Sequence, residues 1–126
     1  QLSVDDRLLG ESYNFGPKSE QNHSVLELLS DLSERWGFMK PSDAYLVTDN
    51  IPFHEAGLLK LNCDKALFDL QWHSTLKFEE TVRMTVEWYK EYYQNQTQSM
   101  YGFIISQIET YTKSAKLNDI FWAGND

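Results

Sequence analysis

The chain has 126 residues, of which 41% are hydrophobic and 14% aromatic, and its net charge is -8. This composition excludes a disordered segment and predicts one domain, in which folding buries roughly two-thirds of the surface of the unfolded chain. The acidic charge excludes a nucleic-acid surface, because phosphate binding needs clustered Lys and Arg.

The first part of the chain is predicted to hold a short strand, a helix and a second strand. Ser12 to Phe15 has strand character, and Ala44 to Thr48 is the second candidate strand. Between them, Ser24 and Glu27 have the spacing of a capping box, and Gly37 ends the helix that they begin. The apolar residues on one face of this helix are Val25, Leu28, Leu29, Leu32 and Trp36.

The second part is predicted to hold a third strand and three helices. The strand is Leu58 to Leu61, and a short helix runs from Lys65 to about Leu70. A long amphipathic helix follows at Lys77 to Tyr93, and a fourth helix covers roughly Gln98 to Lys113. Either of two residues can cap the short helix, Asn62 or Asp64. The residues predicted to point inward are Phe78, Val82, Val86, Tyr89 and Tyr93 on the third helix and Met100, Ile104, Ile108 and Tyr111 on the fourth.

These elements predict a small α+β domain of three or four helices with a few short strands, over residues 1–116, followed by a tail at 117–126. The single cysteine, Cys63, excludes an intrachain disulfide and predicts a reduced, cytoplasmic compartment. No apolar run approaches the roughly 20 residues that span a bilayer, and no signal peptide begins the sequence, so no membrane partner is expected.

Patterns that carry catalysis or bind metals are missing from the sequence. The glycines are never close enough to form the turn that holds a dinucleotide, and no tyrosine has a lysine four residues later. The three histidines are scattered and form no zinc motif. Glu79 and Glu80 are neighbours on a helix and do not face each other, so a solvated first turn is expected. Cys63 is expected to be a small apolar packing residue and not a nucleophile.

Several motifs together resemble the C-terminal part of the nucleotide-sugar dehydratases of the extended short-chain dehydrogenase/reductase family. They are Asn14-Phe15-Gly16-Pro17, His54-Glu55-Ala56, Leu58 to Ala66 with Trp72, and Thr85 to Tyr89. Within that family the resemblance is to the CDP-glucose 4,6-dehydratases, and it covers roughly Glu11 to Tyr111. Three positions depart from the family pattern. They are Gln71 in place of a glycine that ends the short helix, Asn62 in place of Asp, and Lys77 in place of Ser.

The resemblance implies that this chain is the lobe that binds the nucleotide end of a CDP-hexose. It implies that Glu55 accepts hydrogen bonds from the ribose and that His54, a weaker candidate, lies near the phosphates or base. The parent protein would be an NAD-dependent lyase of deoxysugar and lipopolysaccharide biosynthesis. The NAD-binding Rossmann domain would be a separate partner, since no cofactor site is expected on this chain, and the chain alone is predicted to be inactive.

The alternative is a non-enzymatic interaction module or remnant derived from that lobe. In that case apolar surface that once faced the cofactor domain would contact another protein or form a homo-oligomer. The aromatic residues of the long helix could either pack in the core or form an exposed contact surface. Tyr89 and Tyr93 are predicted to pack in the core, whereas Trp88 and Tyr92 share another face that could meet a partner or stack on a sugar.

Overall fold

The computed structural model describes residues 5–18, 20–47, 61–95 and 99–124, which form four α-helices and three short 3₁₀ helices. The α-helices are α1 (Val25–Trp36), α2 (Asp64–Leu70), α3 (Phe78–Gln94) and α4 (Tyr101–Leu117). The 3₁₀ helices are Asp6–Leu8, Pro41–Asp43 and Phe121–Ala123. Helix α3 packs between α1 and α4. None of the helices in the described ranges is long and apolar enough to cross a membrane.

The predicted α+β class is wrong, because no strand forms in the ranges that the structure describes. Ser12 to Phe15 and Ala44 to Val47 are irregular. A strand needs a second segment that pairs with its backbone N–H and C=O groups, and neither segment has one among the described residues. The third predicted strand lies outside the described residues apart from Leu61, which is also irregular.

The local signals for α1 are confirmed. The Ser24 hydroxyl accepts a hydrogen bond from the Glu27 N–H at 3.2 Å, and the Glu27 carboxylate accepts one from the Ser24 N–H at 2.6 Å. Together these bonds satisfy two N–H groups that a helix start leaves free. At the other end, Gly37 has φ 108°, the left-handed conformation that glycine adopts most easily.

The short helix α2 is also confirmed, and its ends show how two family departures are accommodated. The N-cap residue is Cys63 and neither predicted residue, and its side chain makes no capping bond. Asn62, one residue earlier, accepts a hydrogen bond from the Asp64 N–H at 2.9 Å through its amide oxygen. Gln71 adopts the left-handed conformation with φ 53°, although it carries a Cβ. The N–H groups of Gln71 and Trp72 both donate to the carbonyl of Ala66. The turn thus forms as it would with glycine.

The inward faces of α3 and α4 are only partly as predicted. Val82 and Val86 are buried, with 3% of each residue exposed. Tyr89 and Tyr93, which were predicted to lie in the core, are 45% and 56% exposed. On α4 the predicted inward residues Ile104 and Ile108 are also exposed. A periodic stripe identifies a face but not how deeply each of its residues is buried.

The core is thin. The buried apolar residues in the described ranges are Ala66, Val82, Val86, Ala115 and Ala123. The accessible surface is 10,100 Å², against roughly 7,000 Å² for a compact monomer of this mass and roughly 21,000 Å² for its unfolded chain. Folding therefore buries about half of the unfolded surface rather than the expected two-thirds.

The segment after α4 packs back onto that helix. The Ile120 N–H donates to the carbonyl of Ala115 at 3.0 Å. The ring of Trp122 stacks on Tyr111, with 6.0 Å between ring centroids and 10° between ring planes. Ala123 is buried. The part of the predicted tail that the structure describes therefore contributes to the core.

Candidate functional site

The two residues predicted to bind the nucleotide, His54 and Glu55, lie outside the described residues, so their role stays a prediction. The structure does describe the segment that follows them, from Leu61 into α2. It also describes the N-terminal segment that this part of the chain contacts.

The motif at residues 14–17 meets the motif that leads into α2. The Asn14 side-chain amide donates to the carbonyl of Asn62 at 3.3 Å. A Cβ placed on Gly16 would be 3.4 Å from the Cys63 Sγ and 3.5 Å from the Leu61 Cβ, so the two segments touch there. Parts of the chain that are 48 residues apart in sequence therefore form one surface.

A polar cluster fastens the N-terminal segment to α2. The Lys65 ammonium donates to the Glu11 carboxylate and to the Ser12 carbonyl, the latter at 3.2 Å. The Tyr13 hydroxyl donates to the Asp69 carboxylate at 3.2 Å. The Lys65 Nζ also lies 4.8 Å from the centroid of the Tyr13 ring, within reach of a cation–π contact.

The electrostatics of this cluster indicate a structural role. Desolvation, followed by the hydrogen bond to the Asp69 carboxylate, raises the pKa of the Tyr13 phenol. The hydrogen bond between Lys65 and Glu11 raises the pKa of the ammonium and lowers the pKa of the carboxyl. A tyrosine that transfers protons needs its pKa moved towards the working pH, and here the pKa of Tyr13 moves away from it.

An apolar cleft lies beside this junction, between the N-terminal segment and the loop that joins α2 to α3. It has a volume of about 420 Å³, and we call it the aromatic cleft. Its larger side chains are Phe15, His23, Trp72, Leu76, Phe78 and Tyr111. Phe15 meets Trp72 edge-on, with centroids 5.0 Å apart, and His23 stacks on Phe78, with centroids 3.7 Å apart.

A second cleft, of about 700 Å³, adjoins the first, and most of its lining residues are polar, although about half of its lining surface is apolar. We call it the polar cleft, and its polar residues include Lys18, His73, Thr75, Lys77, Asn118 and Asp119. Its floor is fixed by hydrogen bonds, because the buried Thr75 hydroxyl donates to Tyr111 at 3.0 Å and the Asn118 amide donates to the Thr75 carbonyl at 3.2 Å. The two clefts share Gln21, Ser74 and Leu76.

Two buried oxygens at this shared boundary lack a hydrogen-bond partner among the described residues. They are the Gln21 Oε1 and the Ser74 hydroxyl oxygen. A buried polar atom without a partner costs about 1–3 kcal/mol of folding free energy. Such atoms are uncommon in folded proteins, where ordered water commonly supplies their hydrogen bonds.

The aromatic residues at the C-terminal end of α3 stack on one another. Trp88 lies parallel to Tyr92, with 5.4 Å between ring centroids and 7° between ring planes. Tyr89 stacks on Tyr93, and Tyr93 meets Trp36 of α1 edge-on. Each stacked ring thus has one face against its neighbour, and about half of each of the three tyrosines remains exposed.

Other candidate centres receive no support in the described part of the chain. Cys63 is a free, half-buried thiol whose Sγ lies 3.7 Å from the carbonyl oxygen of Leu61. No cluster of His, Cys, Asp and Glu in these ranges is arranged to hold a metal ion. The same ranges contain no strand followed by a glycine-rich turn and a helix, which is the arrangement that holds the pyrophosphate of NAD.

Sequence reasoning missed the two clefts because their residues come from segments without periodicity. Gln21 lies in the polar run before α1, and Ser74 and Thr75 lie between α2 and α3. Their only signal was position, since loops between packed elements often carry binding residues. The proximity of the two segments depends on contacts between distant residues.

The chain is similar to two curated enzymes that act on nucleotide sugars. It is 35% identical over 92 residues to the CDP-glucose 4,6-dehydratase of Salmonella typhimurium, a match that covers 71% of this chain and 24% of the relative. It is 31% identical over 88 residues to the dTDP-glucose 4,6-dehydratase of Haemophilus influenzae, which covers 64% of this chain and 26% of the relative. The chain thus matches about a quarter of the length of each relative. No family model matches it, and no solved structure does.

Proposed function

We propose that this chain is the part of a nucleotide-sugar 4,6-dehydratase that recognises the nucleotide of the substrate, with CDP-glucose as that substrate. The observation that carries the proposal is the 35% identity to a CDP-glucose 4,6-dehydratase over 71% of the chain. The chain covers about a quarter of that relative, so the proposal concerns one part of a larger enzyme.

Two of the motifs that carry the resemblance are in contact among the described residues. The motif at residues 14–17 and the motif from Leu61 into α2 were recognised separately in the sequence, and in the structure they contact each other through Asn14 and Gly16. Ala66 is fully buried, and Trp72 packs against Phe15, so these two residues of the second motif serve packing.

Within this proposal Glu55 binds the ribose. A carboxylate is purely an acceptor, and the two ribose hydroxyls offer it two donors. His54 is the second contact, near the phosphates or the base. The complete enzyme works in the cytoplasm, in deoxysugar biosynthesis for surface polysaccharide. It oxidises the sugar with NAD, eliminates water and returns the hydride.

This chain supplies recognition and not chemistry. Its described residues offer no unit that fits NAD, so the residues that hold the cofactor and transfer protons belong to the remainder of the enzyme. By covering the nucleotide, the lobe would also help to exclude water from the reacting sugar.

The proposal is tested by titrating the chain with CDP and UDP and measuring binding by calorimetry. We expect tighter binding of CDP than of UDP. Glu55→Gln should weaken CDP binding about tenfold, because loss of one charged hydrogen bond is worth about 1.5 kcal/mol. His54→Gln should weaken it less. The matched control is Glu109→Gln, which removes an exposed carboxylate on α4. Equal losses in the Glu55 and Glu109 variants would contradict the role of Glu55.

A second function, that of an interaction module, is favoured by the exposed apolar side chains. Phe68 is 87% exposed and Leu117 is 85% exposed. Such a module would self-associate or bind another protein through these surfaces. No response to millimolar CDP, together with association of the chain in sedimentation equilibrium at micromolar concentration, would favour it over nucleotide recognition.

A further inference from the structure

We infer that an apolar stripe on the first half of α4 is an interface for a second copy of this chain, which pairs with it about a two-fold axis. The stripe consists of Tyr101, Ile104, Ile105 and Ile108, whose spacing places them on one face of the helix. We call it the α4 stripe. The inference does not rest on the proposed nucleotide contact at Glu55 and uses described residues only.

The α4 stripe is exposed although it continues a face that is covered further along the helix. Tyr101 is 73% exposed and Ile108 is 54% exposed, and more than a third of each of the two other residues is exposed. Beyond Ile108 on the same side, Tyr111 stacks on Trp122 and Ala115 is buried. The segment after α4 therefore packs on the C-terminal half of this face, while the N-terminal half stays exposed.

The size of the α4 stripe suits the pairing of two proteins. The exposed area of its four residues is roughly 400 Å², a size of apolar patch that marks an interaction site on a protein surface. It is about half of the roughly 800 Å² that each partner buries in a standard interface. Because an interface has an apolar core inside a polar rim, the stripe supplies the core.

The charge of the chain indicates that the partner is a second copy. The net charge is -8, so two copies repel each other wherever their acidic surfaces meet. Between Glu91 and Glu109 the sequence contains no Asp, Glu, Lys, Arg or His, and the α4 stripe lies in this interval. Two copies can therefore meet through this face without placing like charges against each other. A partner of opposite charge would bind acidic side chains, and the stripe offers none.

A two-fold axis makes the α4 stripe complementary to itself. The stripe is about 10 Å long from Tyr101 to Ile108, and its centre lies between Ile104 and Ile105. When two copies of α4 cross in opposite directions over that centre, Tyr101 of each copy lies on Ile108 of the other. The arrangement thus predicts one specific pair of residues across the interface, which occurs twice.

The first test is sedimentation equilibrium of the full chain at micromolar concentrations. We expect a monomer–dimer equilibrium, and Ile105→Glu should raise its dissociation constant about tenfold, because the interface then buries two like charges at its centre. The matched control is Leu117→Glu, which introduces the same charge at an exposed apolar residue at the other end of α4. This control should dimerise like the unmodified chain, and circular dichroism checks the fold of every variant.

A charge-pair experiment tests the two-fold arrangement. Tyr101→Lys and Ile108→Glu should each weaken dimerisation about tenfold when studied alone. An equimolar mixture of the two should recover dimerisation, because the heterodimer places the lysine of one copy beside the glutamate of the other. The matched control mixes Tyr101→Lys with Ile108→Lys, and this mixture should not recover.

Salt dependence gives an independent measurement. Raising the ionic strength from about 0.05 M to about 0.5 M should lower the dissociation constant of the unmodified chain, because salt screens the repulsion between two acidic copies. Association through complementary charges would instead weaken as salt is added.

Three results would overturn the inference. One is a chain that stays monomeric up to millimolar concentration, which would leave the α4 stripe to a different protein, such as the remainder of the enzyme. Another is an equal loss of dimerisation in Ile105→Glu and Leu117→Glu. The third is a mixture of Tyr101→Lys and Ile108→Glu that does not recover. A failure of Glu55→Gln to weaken CDP binding would contradict the proposed function alone and leave this interface intact.

Discussion

Gly16 lies where the N-terminal segment touches the start of α2. A Cβ added to this residue would lie 3.4 Å from the Cys63 Sγ, which is ordinary contact for a methyl group, so a larger side chain must fit around Cys63 and Leu61. The residue therefore sets how closely the two segments approach.

We expect Gly16→Val to lower the free energy of unfolding by about 1–3 kcal/mol, because its methyl groups must fit around Leu61 and Cys63. Gly16→Ala should lower it by less than about 1 kcal/mol. The control is Gly102→Ala, at a helical position with no atom within 4 Å of the added Cβ, which should raise stability slightly. Urea unfolding gives all three values, and equal stability of the Val and Ala variants at position 16 would show that the contact is loose.

The polar cluster predicts how stability depends on pH. The pKa of Glu11 is lowered in the folded state, so its contribution is present above the ordinary carboxyl value of 4.5 and is lost as the pH falls through the lowered pKa. The pKa values of Lys65 and Tyr13 are raised, so their contributions are present below their ordinary values and are lost as the pH rises through the raised ones.

In Lys65→Gln we expect the unfolding free energy to decrease less as the pH is lowered, because Glu11 has lost the partner that lowers its pKa. In Tyr13→Phe the unfolding free energy should decrease less as the pH is raised, with no change in its dependence at acid pH. Urea unfolding across pH 3 to 11 measures both, and the range brackets the ordinary values of the three groups. If the unfolding free energy of Lys65→Gln depends on acid pH as that of the unmodified chain does, the ion pair has no effect on stability.

At the scale of elements, α2 shows how a short helix tolerates an unusual end. Gln71 holds a left-handed φ of 53° because two N–H groups, its own and that of Trp72, bond to the Ala66 carbonyl. A residue with a Cβ is less stable than glycine in this conformation.

We expect Gln71→Gly to raise the free energy of unfolding by about 0.5–1 kcal/mol, because glycine adopts this φ without steric penalty. The matched comparison is Gly37→Ala at the end of α1, where φ is 108° and the change should destabilise by about 1 kcal/mol or more. Thermal and urea unfolding measure both. A loss of stability in Gln71→Gly would mean that the Gln71 side chain makes contacts that outweigh the backbone gain.

At the scale of the whole molecule, the main feature is a large solvent-accessible surface. The chain keeps 10,100 Å² accessible, and its core has only five buried apolar residues in the described ranges. Large exposed side chains such as Phe68 and Leu117 are consistent with a unit that is covered by another part of a larger protein.

We expect the urea dependence of the unfolding free energy to be shallow. The slope scales with the surface exposed on unfolding, so it should be about a fifth smaller than for a compact domain of the same length. Adding the remainder of the enzyme as a separate polypeptide should raise the unfolding midpoint if it covers these surfaces. A steep slope for the chain alone would indicate a more compact state.

The sequence by itself determined the four helices and the ends of the first three, whereas the fourth, predicted at roughly Gln98 to Lys113, forms at Tyr101–Leu117. The capping box at Ser24 and the glycine stop at Gly37 are local signals that local hydrogen bonds satisfy in the structure. The periodicity of α3 is matched by the burial of Val82 and Val86. The sequence also contains the motifs that resemble those of a nucleotide-sugar dehydratase. The role of Glu55 stays a prediction.

Tertiary structure alone decided the fold class, the extent of the core and the clefts. A strand requires a partner segment, and Ser12 to Phe15 finds none among the described residues, so this segment is irregular and lies against α2. The inward face of α3 is buried at Val82 and Val86, whereas Tyr89 and Tyr93 stay exposed. Gln21 and Ser74 line the same cleft because of contacts between distant residues, which local sequence patterns do not encode.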